Sequence, residues 1–483
     1  MRMGSRRFRG KYSQRCGRLA DPVWQDKRPR TSNEPLNEDV PDEDKEERRP
    51  KRKVACMIGY CGHGYSGMQL NPPAKTIEGD LFDAFVKAGA ISKANSDDPK
   101  KVGPYSTSTY SKSSFLRAAR TDKGVHAAGN LVSLKLIIED SDIVEKINSH
   151  LSASIRLWGF VRTINSFACR RMCDSRSYEY LIPSHVFISP SPSSVLWRRI
   201  IDHEKVTESK RTPDNDFWGI LKALQADLKA DYDEERDKKQ KALELEKKRE
   251  YRIPADRLER VRAAFILFEG THNFHNYTIG KAFTDASCQR HMKSITVSDP
   301  KHVGETEWLS IKVHGQSFML HQIRKMVAMA VLVVRTQCPL SHISDTFGSV
   351  RISIPKAPGL GLLLERPIFD GYNRKAIEHG KLPIDFSKYS EAIDNFKAVN
   401  IYDRIFAEEA KENVYGLRHG IDLQFRFFNF FSFIDAYTEI DEFSYLTDAG
   451  VQERKSVTKV DGAEMIGGEN EETDNEITEE TEG

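Results

Sequence analysis

Two apolar periods alternate through the middle of this chain, so whatever it folds into must combine strands with helices. Val54-Ala55-Cys56-Met57-Ile58-Gly59-Tyr60 is a strand-like run that ends in glycines. Val132, Leu134, Leu136 and Ile138 alternate with polar or oppositely facing residues, the pattern of a half-buried strand. Leu309, Ile311 and Val313 alternate likewise, and strands are expected near residues 155–164 and 175–182. Between them the spacing lengthens to that of a helix. Ile77, Leu81, Phe85 and Ala88 share one face behind Thr76, a residue suited to capping. Further helices are expected over residues 143–151, through Phe268, and over 320–335, where Ile323, Val327, Ala330 and Val334 form one apolar face.

The flanks lack this patterning. Residues 1–52 mix Arg, Pro, Asp and Glu with few apolar side chains and cannot bury enough surface to order themselves. Within them Arg48-Arg49-Pro50-Lys51-Arg52-Lys53 reads as a nuclear import signal, with an RNA-contacting arm as the alternative. The acid-free, Arg-rich opening through Ala20 also has the composition of a mitochondrial presequence, although it is poor in apolar residues. Residues 219–250 are dense in Lys, Glu, Asp and Arg and mark a charged helical insertion, bounded at 206–252. Beyond Pro367 a helical extension rich in Phe and Tyr, residues 371–440, precedes an acidic tail, 441–483, expected to be disordered. Residues 53–205 and 253–370 remain as two folded halves.

Charge distribution narrows the partners. The chain carries +2 in all, but from Asp461 onwards there are ten acidic residues and no basic one, which leaves +12 on the rest. A basic body with an acidic tail suits a polyanion-binding protein. A hydrophobic content of 39% is that of a globular chain, and no apolar run approaches the ~20 residues that span a bilayer. Seven cysteines without framework spacing argue for reduced thiols. No membrane partner is expected.

The stretch from Arg117 to Ala127, Arg-Ala-Ala-Arg-Thr-Asp-Lys-Gly-Val-His-Ala, places one acid, Asp122, among Arg117, Arg120 and Lys123. Taken alone, Thr-Asp-Lys-Gly is a turn between extended segments. Yet nearby cations keep a carboxylate ionised, ready as nucleophile or base, and the same cations would hold a phosphate backbone against it.

This stretch resembles the signature of the TruA pseudouridine synthases, and two further segments extend the likeness over residues 51 to 370. The resemblance implies that Asp122 is the catalytic carboxylate and that Arg120 displaces the target base, with Arg117 and Lys123 beside it on the substrate. Arg176, Tyr178 and Tyr180 lie on one strand face and match an Arg-x-Tyr-x-Tyr pattern, which implies that Tyr178 packs on the target uracil. Tyr180 is left to the core. Phe318-x-x-His321-x-x-Arg324 is similar to the segment whose arginine pairs with the catalytic aspartate, so Arg324 is expected on Asp122. His321 and His126 are expected to form structural hydrogen bonds. Leu362, in Gly361-Leu362-Leu363-Leu364, corresponds to a pocket-lining leucine.

The same resemblance implies an α+β pseudouridine synthase fold, with a mixed, mainly antiparallel sheet in two similar halves, flanking helices and a helical C-terminal extension. The insertion, the extension and the long 270–290 segment are similar to the eukaryotic, multisite branch, and a monomer is expected. Its reaction isomerises uridine, so no cofactor and no metal are expected. The implied partner is tRNA, chiefly around the anticodon stem and loop, with snRNA and mRNA as further substrates, and the implied site is the nucleus, with the mitochondrion as the alternative. One rival signal is His272-x-x-His275 with Cys288-x-x-His291, which has the ligand types of a four-coordinate zinc site. The other is a non-catalytic RNA-binding protein on the same scaffold.

Overall fold

Alternation along the first strand sorts its side chains between two cores. In the computed structural model, which describes residues 49–92, 114–204, 214–228 and 233–412, Val54, Cys56, Ile58 and Tyr60 enter the larger apolar cluster. Ala55 and Met57 enter a second cluster on the other side. The strands are β1 (Arg52–Tyr60), β2 (Leu116–Arg117), β3 (His126–Leu136), β4 (Ile155–Arg162) and β5 (Ser175–Pro183), then β6 (Gly270–Asn273), β7 (Gln289–Val297), β8 (Lys301–Val303), β9 (Thr306–Gly315) and β10 (Leu362–Ile368). They form one ten-stranded sheet in the order β4-β1-β3-β10-β5-β9-β7-β6, with β2 on β3 and β8 on β9.

One seam decides the geometry. Every pairing is antiparallel except that of β10 with β3, which is parallel and short, Leu363 opposite His126 and Leu364 opposite Ala127. A strand from late in the chain is thereby inserted between β3, which follows the Asp122 turn, and β5, which carries Tyr178. The sheet is mixed and mainly antiparallel, with helices flanking it, as the resemblance implies.

Thr76 caps the helix Ile77–Lys87, its hydroxyl accepting from Gly79 N at 3.3 Å. The helix Gln322–Arg335 departs from the expected single apolar face. Gln322, Ile323 and all residues from Met326 to Arg335 are buried, because it packs against the helix Ala255–Ile266 and the helical turns Ser184–Phe187 and His275–Tyr277. From Met326 to Val334 the helix is apolar all round, as suits an interior.

β3 also differs from its expected half-buried state. Asn130, Ser133 and Leu131 are as buried as Val132 and Leu134. The second face is covered by the segment after β10, where Phe369, Tyr372, Ala376, Ile384 and Phe386 pack on Ala118, Leu131 and Met57. Burying a large side chain of this kind stabilises by roughly 1.5–3 kcal/mol, so this extension is a working layer of the fold. It comprises the helices Asp370–Glu378, Ser390–Phe396 and Asp403–Glu412, with the π-helical turn Lys397–Tyr402 between the last two.

The charged insertion forms two helices, Asn215–Ala226 and Asp233–Glu250. The second is laced by Glu234–Lys238, Glu235–Lys239 and Glu244–Lys248 pairs. The first is tied to the body, since Asp214 pairs with Arg257 and accepts from Ser189 N, while Trp218 Nε1 donates to Ser189 O at 2.9 Å. Lys53, from the basic cluster, is drawn into β1 and donates to Ser114 O at 3.2 Å. Arg52, expected in the unordered N-terminal region, opens β1, whereas residues 1–48, residues 93–113, the end of the extension and the acidic tail lie outside the described residues. Among the described residues no helix is long and apolar enough to cross a membrane.

Candidate active site

The Asp122 turn is held from several directions before any functional group is considered. Val125 N donates to Asp122 O at 3.1 Å, closing the turn. Beneath it lies a buried network in which the Tyr60 hydroxyl meets Thr121 Oγ1 at 2.9 Å, and Asn130 Nδ2 donates to Tyr60 Oη and to Ala119 O. Met68 N donates to Thr121 O at 3.0 Å. Gly62 passes so close that a Cβ there would sit 2.2 Å from Val125 O. Its N–H donates to His126 Nδ1 at 3.1 Å. Burial, then the His63 and Arg404 charges, push His126 down to about 4, so its ring is a neutral acceptor.

A further clamp comes from β5. Arg176 donates through Nη2 to Ala118 O at 2.7 Å and through Nε at 3.3 Å. Hydrogen bonds from a charged donor contribute about 1.5–3 kcal/mol. Arg176→Met is therefore expected to lower the melting temperature and the turnover of the protein together, read by thermal denaturation and by product formation. A variant with full activity would show that the clamp is dispensable.

Asp122 itself is open at one side, with its side chain 32% exposed, which leaves room for a substrate atom to approach. His321 Nδ1 stands 3.3 Å from its Oδ2. His321 precedes the helix Gln322–Arg335 with a left-handed φ of 61°, the conformation that turns the chain into the helix at this point. Burial alone would raise the Asp122 carboxyl, but the His321 contact, then the Arg324 and Lys356 charges, outweigh it and hold it below the usual carboxylate value. The group is ionised at neutral pH.

Around this carboxylate the expected residues divide. The Arg324 charge acts on Asp122, and its Nε donates to Ala357 O at 2.6 Å. Tyr178 is buried, meets Phe318 edge-on at 5.0 Å between centroids, and is raised to about 12 by burial, then opposed by Arg176 and reinforced by Asp122. Leu362 lies opposite Tyr180 in the β10–β5 register and is buried. Tyr180 belongs to the core, its hydroxyl donating to Pro358 O at 2.7 Å. Arg120 and Lys123 are exposed beside the turn. Arg117 has its Nε paired with the fully buried Glu78, which ties its guanidinium to the helix Ile77–Lys87.

Lys356 is the neighbour of Asp122 that the sequence reading does not name, and nothing in its local sequence marks it. His321, expected only in a structural hydrogen bond, stands against the acid itself, and Arg176, expected only as part of a strand pattern, holds Ala118 O. The zinc signal is dispersed onto protein partners. His272 Nε2 meets Glu269 O at 2.7 Å and its ring stacks on Phe347, His291 Nδ1 meets Thr271 Oγ1 at 2.9 Å, and the Cys288 thiol faces Ala282 O. Among the described residues no three His, Cys, Asp or Glu side chains are grouped to hold a metal ion.

Comparison with known proteins gives a consistent answer. A family model described as tRNA pseudouridine synthase matches residues 264–370. The chain is 43% identical to tRNA pseudouridine synthase 1 of Schizosaccharomyces pombe, covering 90% of this chain and 93% of that protein. It is 48% identical to tRNA pseudouridine synthase 1 of Eremothecium gossypii, covering 89% and 82%. It is 41% identical to the tRNA pseudouridine(27/28) synthase of Saccharomyces cerevisiae, covering 66% and 85%. With likeness of this extent and a sheet that brings the Asp122 turn, Tyr178 and the His321–Arg324 helix to one place, the chain belongs to the tRNA pseudouridine synthase family.

Proposed function

We propose that this protein is an isomerase that converts uridine to pseudouridine in tRNA, with Asp122 as the carboxylate that acts on the nucleotide. The observation that carries this reading is a partly exposed acid, kept ionised by His321, Arg324 and Lys356, at a rigidly braced turn beside Tyr178. The N-glycosidic bond of uridine breaks, uracil turns while bound, and C5 joins C1′ as its proton passes to N1. Substrate and product are isomers, so the balance requires no cofactor. Asp122 serves either by bonding to C1′ as N1 departs and leaving as C5 attacks, or by taking a ribose proton. Both routes require the charged form.

Extruding a base from a structured stem costs a few kcal/mol. Arg120, exposed beside Asp122, is assigned to the vacated space, where a guanidinium stacks and contacts phosphates. Lys123 holds the backbone, Tyr178 packs on uracil and Leu362 lines the pocket. Arg117 is assigned to positioning the turn through Glu78. The proposed targets lie around the anticodon stem and loop, with snRNA and mRNA as further substrates; a relative named for positions 27/28 supports the first. A monomer is proposed because the 369–386 segment covers a face of the sheet. Nuclear placement, with the mitochondrion as alternative, rests on the basic cluster, of which Lys53 is buried in β1.

The test is to incubate purified protein with unmodified tRNA transcripts and map pseudouridine, with and without a strong chelator. Conversion unchanged by the chelator is expected. Stoichiometric zinc together with chelator-sensitive conversion would favour the zinc-dependent reading instead.

A further inference from the structure

Behind the proposed site, on the other side of the sheet, sits a buried group of charges that the chemistry above does not use. Side chains alternate along a strand, so Glu179 points away from its neighbours Tyr178 and Tyr180. It is buried, accepts from the Tyr402 hydroxyl at 2.5 Å and from Ser310 Oγ, and faces Lys397 Nζ at 3.2 Å. The same ammonium contacts Glu365 Oε1. Glu365 stands on β10 at the register shift between Leu364 and Arg366, three residues beyond Leu362. One lysine from the C-terminal π-helical turn thus ties β5 to β10, the two strands that carry Tyr178 and Leu362.

We propose that Lys397 is a positioning residue for this site, setting the β5–β10 spacing that places Tyr178 and Leu362 against Asp122; this rests on the functional reading given above. Two independent features support it. The charge count is poised: two carboxylates face one ammonium in a buried place, and an uncompensated buried charge is costly. Burial and then the Glu179 contact raise Glu365, so that a proton there relieves the excess, while against its own burial Glu179 is held low by Glu365, Lys397, Ser310 and Tyr402. Second, the same C-terminal segment reaches the other side of the site. Glu408 lies 3.3 Å from His63 Nδ1 and Arg404 bonds its Nε2, and His63 adjoins Gly62, which braces the Asp122 turn. The extension therefore touches both the loop that braces the acid's turn and the strands that carry its partners.

The experiment uses the full chain and tRNA transcript, comparing wild type, Lys397→Met, Lys397→Arg and Glu365→Gln. For Lys397→Met we expect kcat to fall roughly ten- to a hundredfold, the scale of a small misplacement of reacting groups, with the dissociation constant for tRNA within about threefold of wild type. Its kcat deficit should shrink as pH falls from about 8 to about 6, because protons replace the missing positive charge. Lys397→Arg should restore most of the turnover. If Lys397→Met does not fold, Glu365→Gln remains decisive: it keeps the Lys397–Glu179 pair, and the fall in kcat expected for wild type as rising pH strips the raised Glu365 of its proton should be absent from it. A Lys397→Met protein that melts earlier but turns over normally, or a Glu365→Gln protein with the wild-type pH profile, overturns the proposal. Wild-type protein that makes no pseudouridine sinks the parent reading and this one with it; active wild type with unaltered variants sinks this one alone.

Discussion

Asp122→Asn is expected to abolish pseudouridine formation while tRNA binding stays within about threefold of wild type. The substitution keeps the size and most hydrogen bonds of the side chain but removes the charge, and a neutral amide neither bonds to C1′ nor takes a proton. A loss of at least about a thousandfold in kcat is therefore expected, on the scale of removing a nucleophile or its base. Binding survives because Arg120 and Lys123 are exposed and untouched, and phosphate contacts supply most affinity for nucleic acid. Binding is to be measured at fixed salt. The pH profile adds a second check. Because Asp122 lies below the usual carboxylate value, its active ionised form persists to lower pH than that of a free carboxylate. His321→Gln removes the imidazole in contact with it, an interaction that helps hold the carboxyl low, and should move the acid limb of kcat upward. Wild-type conversion by Asp122→Asn would end the catalytic assignment.

The second large effect is expected from a residue that carries no functional group. At Gly62 an added Cβ would stand 2.2 Å from Val125 O and 2.7 Å from Val125 C. These are backbone atoms on both sides, so no rotamer relieves the clash. Gly62→Ala must push the turn away, losing its contact with His126 Nδ1. Overpacking of this kind costs about 1–3 kcal/mol, and displacing Asp122 by a fraction of an ångström should lower kcat roughly ten- to a hundredfold. Gly64 supplies the control. Its φ is +78°, yet nothing lies within 4 Å of an added Cβ, so Gly64→Ala should cost only the roughly 1–2 kcal/mol of left-handed strain and keep its turnover. Equal loss of activity in the two variants would show that general destabilisation, and not displacement of the turn, is responsible.

Much of the site was legible because its chemistry is written in consecutive residues. The run from Arg117 to Ala127 places an acid among cations at a turn, and the turn is there. Phe318, His321 and Arg324 share one helical approach, and two of them act on Asp122. What the sequence left open concerns partners. Arg117 carries the same charge as Arg120, and nothing local distinguishes the one that turns inward to Glu78, some forty residues earlier in the chain. Arg176 looked like one member of a strand pattern, and its hold on Ala118 O depends on how β5 lies against the turn.

By itself the sequence determined the main strands and helices and the identity of the candidate acid, because periodicity and short motifs are local properties. Tertiary structure alone decided that β10 enters between β3 and β5 and that the C-terminal segment buries the second face of β3. It also decided that His321 stands against Asp122. The physical reason is common to all three. Strand register and the pairing of charges arise from competition among distant segments for the same buried surface, and no window of neighbouring residues contains both competitors.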